Sequence, residues 1–124
     1  MISNRQKACC FTGHRIIPGE IVEQLKLRLR NGVDYLHQRG ITVFYAGGAL
    51  GFDTLAAEAV LDRRNIFPDI RLVIVMPCRE QTKGWNRDAA ARYEHIIAAA
   101  DEVICLYARK SGLRIFNIGI KLRA

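Results

Sequence analysis

Apolar residues follow two kinds of spacing along the chain. Short apolar runs rich in β-branched and aromatic residues predict four strands, at residues 7–11, 41–45, 70–76 and 102–106. Between these runs, apolar residues three or four positions apart predict three helices, over residues 18–38, from 53 onward and from 86 onward. Strands that alternate with helices are typical of a parallel α/β sheet with right-handed crossovers.

Individual residues refine these boundaries. Pro18 suits the first turn of the first helix, and Gly40 follows its last apolar position as a stop signal. Asp53 and Asn86 stand where the next two helices begin, so each is expected to cap its helix through a backbone N–H two or three residues on. The third strand is apolar almost throughout, which predicts a central or covered position in the sheet.

Length and composition indicate one domain, residues 1–124. Half of the 124 residues are apolar, which is enough for a single core. No apolar run approaches the roughly 20 residues that span a bilayer, and the first residues do not resemble a signal peptide, so we expect a soluble cytoplasmic protein with no membrane partner. Four cysteines without a C-x-x-C pair are expected to be free thiols, with no metal site.

The net charge of +7 is concentrated near the end of the chain. No acidic residue follows Glu102, whereas five of the 19 basic residues do: Arg109, Lys110, Arg114, Lys121 and Arg123. The preceding part is therefore nearly balanced. A basic tail is compatible with nucleic-acid binding, although a solvated end is the more common case.

The stretch GGALGFD, residues 47–53, follows the second predicted strand. It matches neither the dinucleotide fingerprint G-x-G-x-x-G nor the P-loop pattern. Gly47 and Gly48 could adopt positive φ and present backbone N–H groups to an anion, while Gly51 would let a ligand approach the helix. Taken alone, the stretch is equally compatible with a phosphate cradle and with a plain turn. Asp53 either caps the helix or also binds a ribose hydroxyl.

A second polar loop, TGHR at residues 12–15, ends the first strand and is expected beside the glycine stretch. Arg15 offers a fork for phosphate, and His14 could donate a hydrogen bond or have a structural role. Trp85 either packs half-buried or stacks on a base. We find neither a nucleophile elbow nor an H-E-x-x-H motif, so the sequence does not decide whether the protein is an enzyme.

Together, FTGHR, GGALGFDTLAAE and MPC…GWNRDAAARYEHIIAAADEVICL resemble the YpsA-like branch of the SLOG superfamily, which also includes the DprA/Smf and LOG proteins. The resemblance covers about Lys7 to Tyr107. It implies a three-layer Rossmann-like parallel sheet with strand order 3-2-1-4 and helices on both faces. It also implies a site for a nucleotide-derived ligand at the strand ends. With Trp85 added as a stacking candidate, the expected ligand-binding residues are Thr12, Gly13, His14, Arg15, Gly47, Gly48, Gly51, Asp53 and Trp85.

The function that this resemblance favours is a binding or sensing module for a nucleotide-like small molecule, with no other cofactor. Two alternatives remain: a LOG-like hydrolase of nucleoside monophosphates or other N-glycosidic bonds, and DprA-like nucleic-acid binding. The P-G-G-x-G-T-x-x-E loop of LOG enzymes is absent from the sequence. The tail, residues 108–124, departs from the family pattern. Its apolar residues are expected to cover the side of the fourth strand, within the chain or across a dimer, which predicts a homo-oligomer.

Overall fold

The structure is a computed structural model that describes residues 7–11, 13, 16–77, 84–108 and 115–122. The described strands are β1 (Lys7–Cys10), β2 (Ile41–Gly47), β3 (Arg71–Pro77), β4 (Glu102–Ala108) and β5 (Ile115–Leu122). The described α-helices are α1 (Val22–Gln38), α2 (Phe52–Arg64) and α3 (Arg87–Ala99), and a single 3-10 turn, Gly19–Ile21, precedes α1. All four strands and three helices predicted from the apolar spacing are confirmed, and β5 forms from the tail.

The two predicted helix caps have different outcomes. Asn86 caps α3 as predicted, because its Oδ1 accepts a hydrogen bond from the backbone N–H of Ala89 at 2.7 Å. The prediction for Asp53 is wrong, since α2 begins one residue earlier and its N-cap is Gly51. Asp53 therefore lies inside the first turn of α2.

The strands lie in the order β1-β2-β3-β4-β5. The first four are parallel, and β5 runs antiparallel to β4 at the edge of the sheet. The predicted order 3-2-1-4 is wrong, because β4 pairs with β3, from Val73 opposite Glu102 to Pro77 opposite Leu106, rather than with β1. The predicted central position of β3 is confirmed.

A buried carboxylate accounts for the position of β4. Asp101 immediately precedes β4, is 6% exposed, and accepts hydrogen bonds at 2.8 Å from Leu72 N–H and from Nη1 of Arg64. Its own N–H donates to the Leu72 carbonyl at 2.9 Å. A buried charge requires such partners, so Asp101 holds the start of β4 against β3 and the end of α2. Apolar spacing carries no information about this long-range contact.

The three described helices lie on one face of the sheet. One core cluster contains Val33 of α1, Val60 of α2 and Ile96 of α3, together with alternate residues of β2, β3 and β4 such as Phe44 and Leu72. Each crossover advances the sheet by one strand in the same direction, so crossovers of the usual right-handed kind leave all three helices on the same side. The prediction of helices on both faces is therefore wrong for the described helices, which form one layer against the sheet.

The other strand residues point to the opposite face, which none of the described helices covers. We call this side the open face and define it by Cys10, Val43, Tyr45, Val73, Val75 and Ile104, which belong to neither of the helix-side clusters. The tail does not lie across this face in the described residues. Instead, β5 extends the sheet beside β4, with Ile120 opposite Ile104.

Candidate functional site

The turn between β2 and α2 presents the start of a helix at the carboxyl edge of the parallel strands. Gly51, the N-cap, has φ 75° and ψ −121°, a conformation that favours glycine. Leu55 N–H donates to the Gly51 carbonyl at 3.1 Å, the first bond of the helix. The N–H groups of the three preceding residues have no carbonyl within the helix and point out of its end. This end of α2 carries partial positive charge and suits an anion.

Gly47 and Gly48 have a different explanation. Neither has positive φ. Among the described glycines, positive φ occurs at Gly40, Gly51 and Gly84. A Cβ on Gly47 would lie 2.6 Å from Oδ2 of Asp53, and a Cβ on Gly48 would lie 2.7 Å from the hydroxyl oxygen of Tyr93. The interpretation of both as positive-φ residues is thus wrong. Close packing of two polar side chains against the backbone requires glycine at these positions.

The Asp53 carboxylate lies against this turn. Its Oδ2 accepts a hydrogen bond from Ala49 N–H at 3.3 Å, while the Thr54 hydroxyl donates to the Ala49 carbonyl at 3.1 Å. Burial raises the pKa of Asp53, and the hydrogen bond from Ala49 lowers it to a lesser extent. A carboxylate here can accept a hydrogen bond from a sugar hydroxyl, and it repels a phosphate placed directly against it. The arrangement therefore favours a ligand hydroxyl at Asp53, with the anionic group of the ligand at the N–H groups of the start of α2 and away from the carboxylate.

The end of β1 adjoins the start of α2. Phe11 N–H donates to the Tyr45 carbonyl at 3.0 Å, and the rings of Phe11 and Phe52 lie 6.3 Å apart. A Cβ on Gly13 would overlap the ring of Phe52. The loop after β1 thus meets the glycine stretch at Gly13, as predicted. The other predicted residues of this loop lie outside the described residues, so their roles stay predictions: Thr12, His14 and Arg15.

Trp85, just before α3, and Tyr93, in the middle of α3, form an aromatic pair. Their ring centroids lie 5.2 Å apart with an interplanar angle of 83°, so Trp85 packs edge-on, and its stacking on a base stays a prediction. The apolar spacing that predicts the third helix includes Tyr93. Its hydroxyl donates to the sulfur of Met76 and lies over Gly48, and burial raises its pKa to about 12. A tyrosine in a helical apolar repeat was the one available signal that a hydroxyl reaches this edge.

The N-terminal halves of all three helices enclose a cleft of about 220 Å³ beside the end of α2. We call it the helix cleft. Its described lining consists of Ile17, Val22, Lys26, Leu50, Gly51, Thr54, Leu55, Ala89 and Arg92. Of the predicted site residues that the structure describes, only Gly51 belongs to it. Gly13, Gly47, Gly48, Asp53 and Trp85 do not line it.

Both cations in the described lining of the helix cleft, Lys26 and Arg92, have carboxylate partners. Arg92 donates from Nε to Oε2 of Glu58 at 3.1 Å and from Nη2 to the other carboxylate oxygen, and these hydrogen bonds raise the pKa of Arg92. Lys26 lies 3.2 Å from Glu23. The hydrolase hypothesis would require a glutamate facing the crevice. The glutamate of α2, Glu58, is instead held by Arg92 and does not line this cleft.

The family model YpsA, described as the YspA SLOG family, matches residues 19–116, which is more than half of the chain. The chain belongs to the YpsA SLOG family. The resemblance inferred from the three motifs is thereby confirmed.

Several relatives of this YpsA-family chain are UPF0398 proteins of Bacillus. Those of Bacillus thuringiensis (strain Al Hakam) and Bacillus cereus (strain Q1) are 34% identical over 89 residues. That of Bacillus cereus (strain AH820) is 33% identical over the same length. The matched region covers 72% of this chain and 48% of each relative, so the chain spans about half the length of these relatives.

Three further properties concern only the described part of this YpsA-family chain. It contains no group of three or more histidine, cysteine or carboxylate side chains placed to hold a metal ion. Its three cysteines, Cys9, Cys10 and Cys105, are free, and burial raises the pKa of the Cys9 thiol. Nor does any helix there have the length and apolar character needed to cross a membrane.

Proposed function

We propose that this protein binds a nucleotide-derived ligand at the carboxyl edge of its parallel strands, as a binding or sensing module. The observation that carries the proposal is the start of α2, where Gly51 leaves the first-turn N–H groups directed out of the helix. In this arrangement, the anionic group of the ligand lies against these N–H groups.

The neighbouring side chains support a ligand with a sugar. Asp53 provides a partly buried carboxylate within the same turn, which can accept a hydrogen bond from a ribose hydroxyl. Gly13 brings the loop after β1 to the first residue of α2. Arg15, two residues farther along that loop, is proposed as the second anion contact. A nucleotide-derived anion combines both requirements, a phosphate and a hydroxylated sugar.

Two properties of the whole protein belong to the same proposal. A second copy of the chain is proposed to cover the open face, because parallel sheets are normally covered on both sides. A cytoplasmic location agrees with three free thiols among the described cysteines, since reducing compartments preserve them.

Calorimetric titration of the purified chain with nucleotides, ADP-ribose and nicotinamide derivatives tests the proposal. We expect at least one phosphorylated ligand to bind, and the corresponding nucleoside, which lacks the phosphate, to bind more weakly. Arg15→Gln should lower the affinity for the phosphorylated ligand and not that for the nucleoside. The matched control is Arg28→Gln, on the exposed side of α1. Absence of binding across the whole set at millimolar concentrations would contradict the proposal.

A further inference from the structure

We infer that the helix cleft binds the heteroaromatic base of the ligand, as a subsite next to the end of α2. The inference rests on the proposed function and specifies the part of the ligand that enters the cleft. It gives a binding role to the helix side of the sheet, to which the glycine stretch contributes Leu50 and Gly51.

The size of the helix cleft suits a planar ring. Its volume of about 220 Å³ exceeds the roughly 150 Å³ of an engineered apolar cavity that holds benzene. Five of its nine described lining residues have apolar side chains: Ile17 before α1, Val22 in α1, Leu50 before α2, Leu55 in α2 and Ala89 in α3. Such a wall favours the faces of an aromatic ring over a hydroxylated sugar.

Two polar side chains in the described lining of the helix cleft, Thr54 and Arg92, have protein partners. Thr54 is 8% exposed, and its hydroxyl proton is used in the hydrogen bond to the Ala49 carbonyl. Arg92 is half-exposed at the rim, where Glu58 holds its guanidinium through two hydrogen bonds. A guanidinium fixed in this way can stack on an aromatic ring without losing its partner. The remaining N–H donors of Arg92 and the ammonium of Lys26 belong to the same lining, and they suit the ring nitrogens of a heteroaromatic base.

Gly51 connects the helix cleft with the anion-binding end of α2. It lines the cleft and is also the N-cap residue that precedes the outward-directed N–H groups. A phosphate at the end of α2 and a ring in the cleft therefore lie on two sides of the same residue. One ligand with a ring, a sugar and a phosphate can occupy both positions.

The test fills the helix cleft without removing any group. Ala89→Phe places a ring in the cleft, and Ala91→Phe places the same ring on the exposed side of the same helix as the matched control. A second pair is Ile17→Trp in the cleft with Ile16→Trp, at a position 83% exposed, as its control. Circular dichroism shows which variants fold. If Ala89→Phe does not fold, the Ile17→Trp and Ile16→Trp pair is used instead.

The probes are AMP, ribose 5-phosphate and adenine, titrated by calorimetry into each variant. We expect the cleft variants to weaken AMP about tenfold or more while ribose 5-phosphate is unchanged, and the control variants to change neither. If the wild type binds adenine and the cleft variants do not, the base subsite is supported. If ribose 5-phosphate then fails to bind to any variant, that result contradicts the phosphate site and leaves the base subsite standing. Ribose 5-phosphate binding with AMP unaffected by the cleft variants would overturn the cleft and leave the proposed function standing. Absence of binding by all three probes would overturn both.

Discussion

The hydroxyl of Tyr93 lies against the backbone of Gly48, at the place where any larger residue would put its β-carbon. Such a carbon would lie 2.7 Å from the hydroxyl oxygen and 3.1 Å from Cβ of Met76. The second glycine of the GG pair therefore lets α3 pack against the end of β2. A glycine pair after a strand has a structural cause here, and the argument for a ligand depends on Gly51 and the end of α2 instead.

Replacement of Gly48 by alanine should be costly. We expect Gly48→Ala to lower the free energy of unfolding by about 1–3 kcal/mol, because the new methyl group overpacks a filled site. Adding Tyr93→Phe should recover part of the loss, since it removes the nearest atom. Urea denaturation measures both. Gly32→Ala is the control: nothing lies within 4 Å of a Cβ there, and alanine should stabilise α1 by about 0.5–1 kcal/mol. Equal effects at the two glycines would contradict the packing explanation.

Tyr93 should also make the protein sensitive to alkali. Burial raises its pKa to about 12, whereas an unfolded tyrosine ionises near pH 10. The unfolded state thus loses its proton first, and the contribution of Tyr93 to stability is complete below pH 10 and disappears as the pH rises through 12. We expect a loss of up to about 2–3 kcal/mol in this range. Tyr93→Phe should lack this component, whereas Tyr35→Phe, at a position 54% exposed, should retain it. Urea denaturation of each variant at pH 9 to 11.5 decides between these outcomes.

Asp53 should destabilise the fold at neutral pH. Because burial raises its pKa, the unfolded state ionises at lower pH than the folded state, so stability is lost as the pH rises through the folded pKa. Asp53→Asn should therefore raise the melting temperature at pH 7, with a smaller difference below pH 4. Asp88→Asn, in the exposed first turn of α3, should give no such gain. A lower melting temperature for Asp53→Asn at pH 7 would show that the carboxylate is structurally required.

In the proposed site, Asp53→Asn should also weaken ligands that carry a ribose. Asparagine retains one acceptor but loses the charge that strengthens a hydrogen bond from a hydroxyl, so we expect a roughly tenfold loss in affinity. Calorimetry with the ligand found for the wild type measures it. A variant that is more stable and yet binds more weakly would identify Asp53 as a residue kept for binding.

Local structure could be predicted from this sequence because it depends on spacing that the chain itself displays. The cap at Asn86 and the central position of β3 both follow from neighbouring residues. The position of β4 does not, because it depends on the contact of Asp101 with Leu72 and Arg64, which are far away in sequence. The glycine stretch shows the same limit: its location at the sheet edge was predictable, whereas its packing against Tyr93 was not.

The position of β4 leads to a stability prediction. Asp101→Ala should lower the free energy of unfolding by about 3–5 kcal/mol, because it leaves the largely buried Arg64 without this partner and the Leu72 N–H without its acceptor. Asp69→Ala removes an exposed carboxylate that pairs with His37, so it should cost less than about 1 kcal/mol. Urea denaturation of both variants provides the comparison. Similar losses would show that Asp101 does not hold β4 in place.

The open face provides the last prediction, a homodimer in which a second copy covers it. Tyr45, Val75 and Ile104 are only partly buried there, and no described helix covers them. Val43 and Val73 of the same face are only 5% and 3% exposed, so the surface that a second copy would cover is formed by the three partly buried side chains. A two-fold symmetric pairing would bury these residues on both copies.

Size-exclusion chromatography with light scattering should give twice the chain mass at tens of micromolar protein. Ile104→Glu should shift the protein to a monomer, because it introduces a charge into the surface to be buried. Leu27→Glu, on α1 at a position 52% exposed, should leave the dimer intact. If the wild type is a monomer at tens of micromolar, a second copy does not cover the open face. If Ile104→Glu and Leu27→Glu dissociate the dimer equally, the interface lies elsewhere.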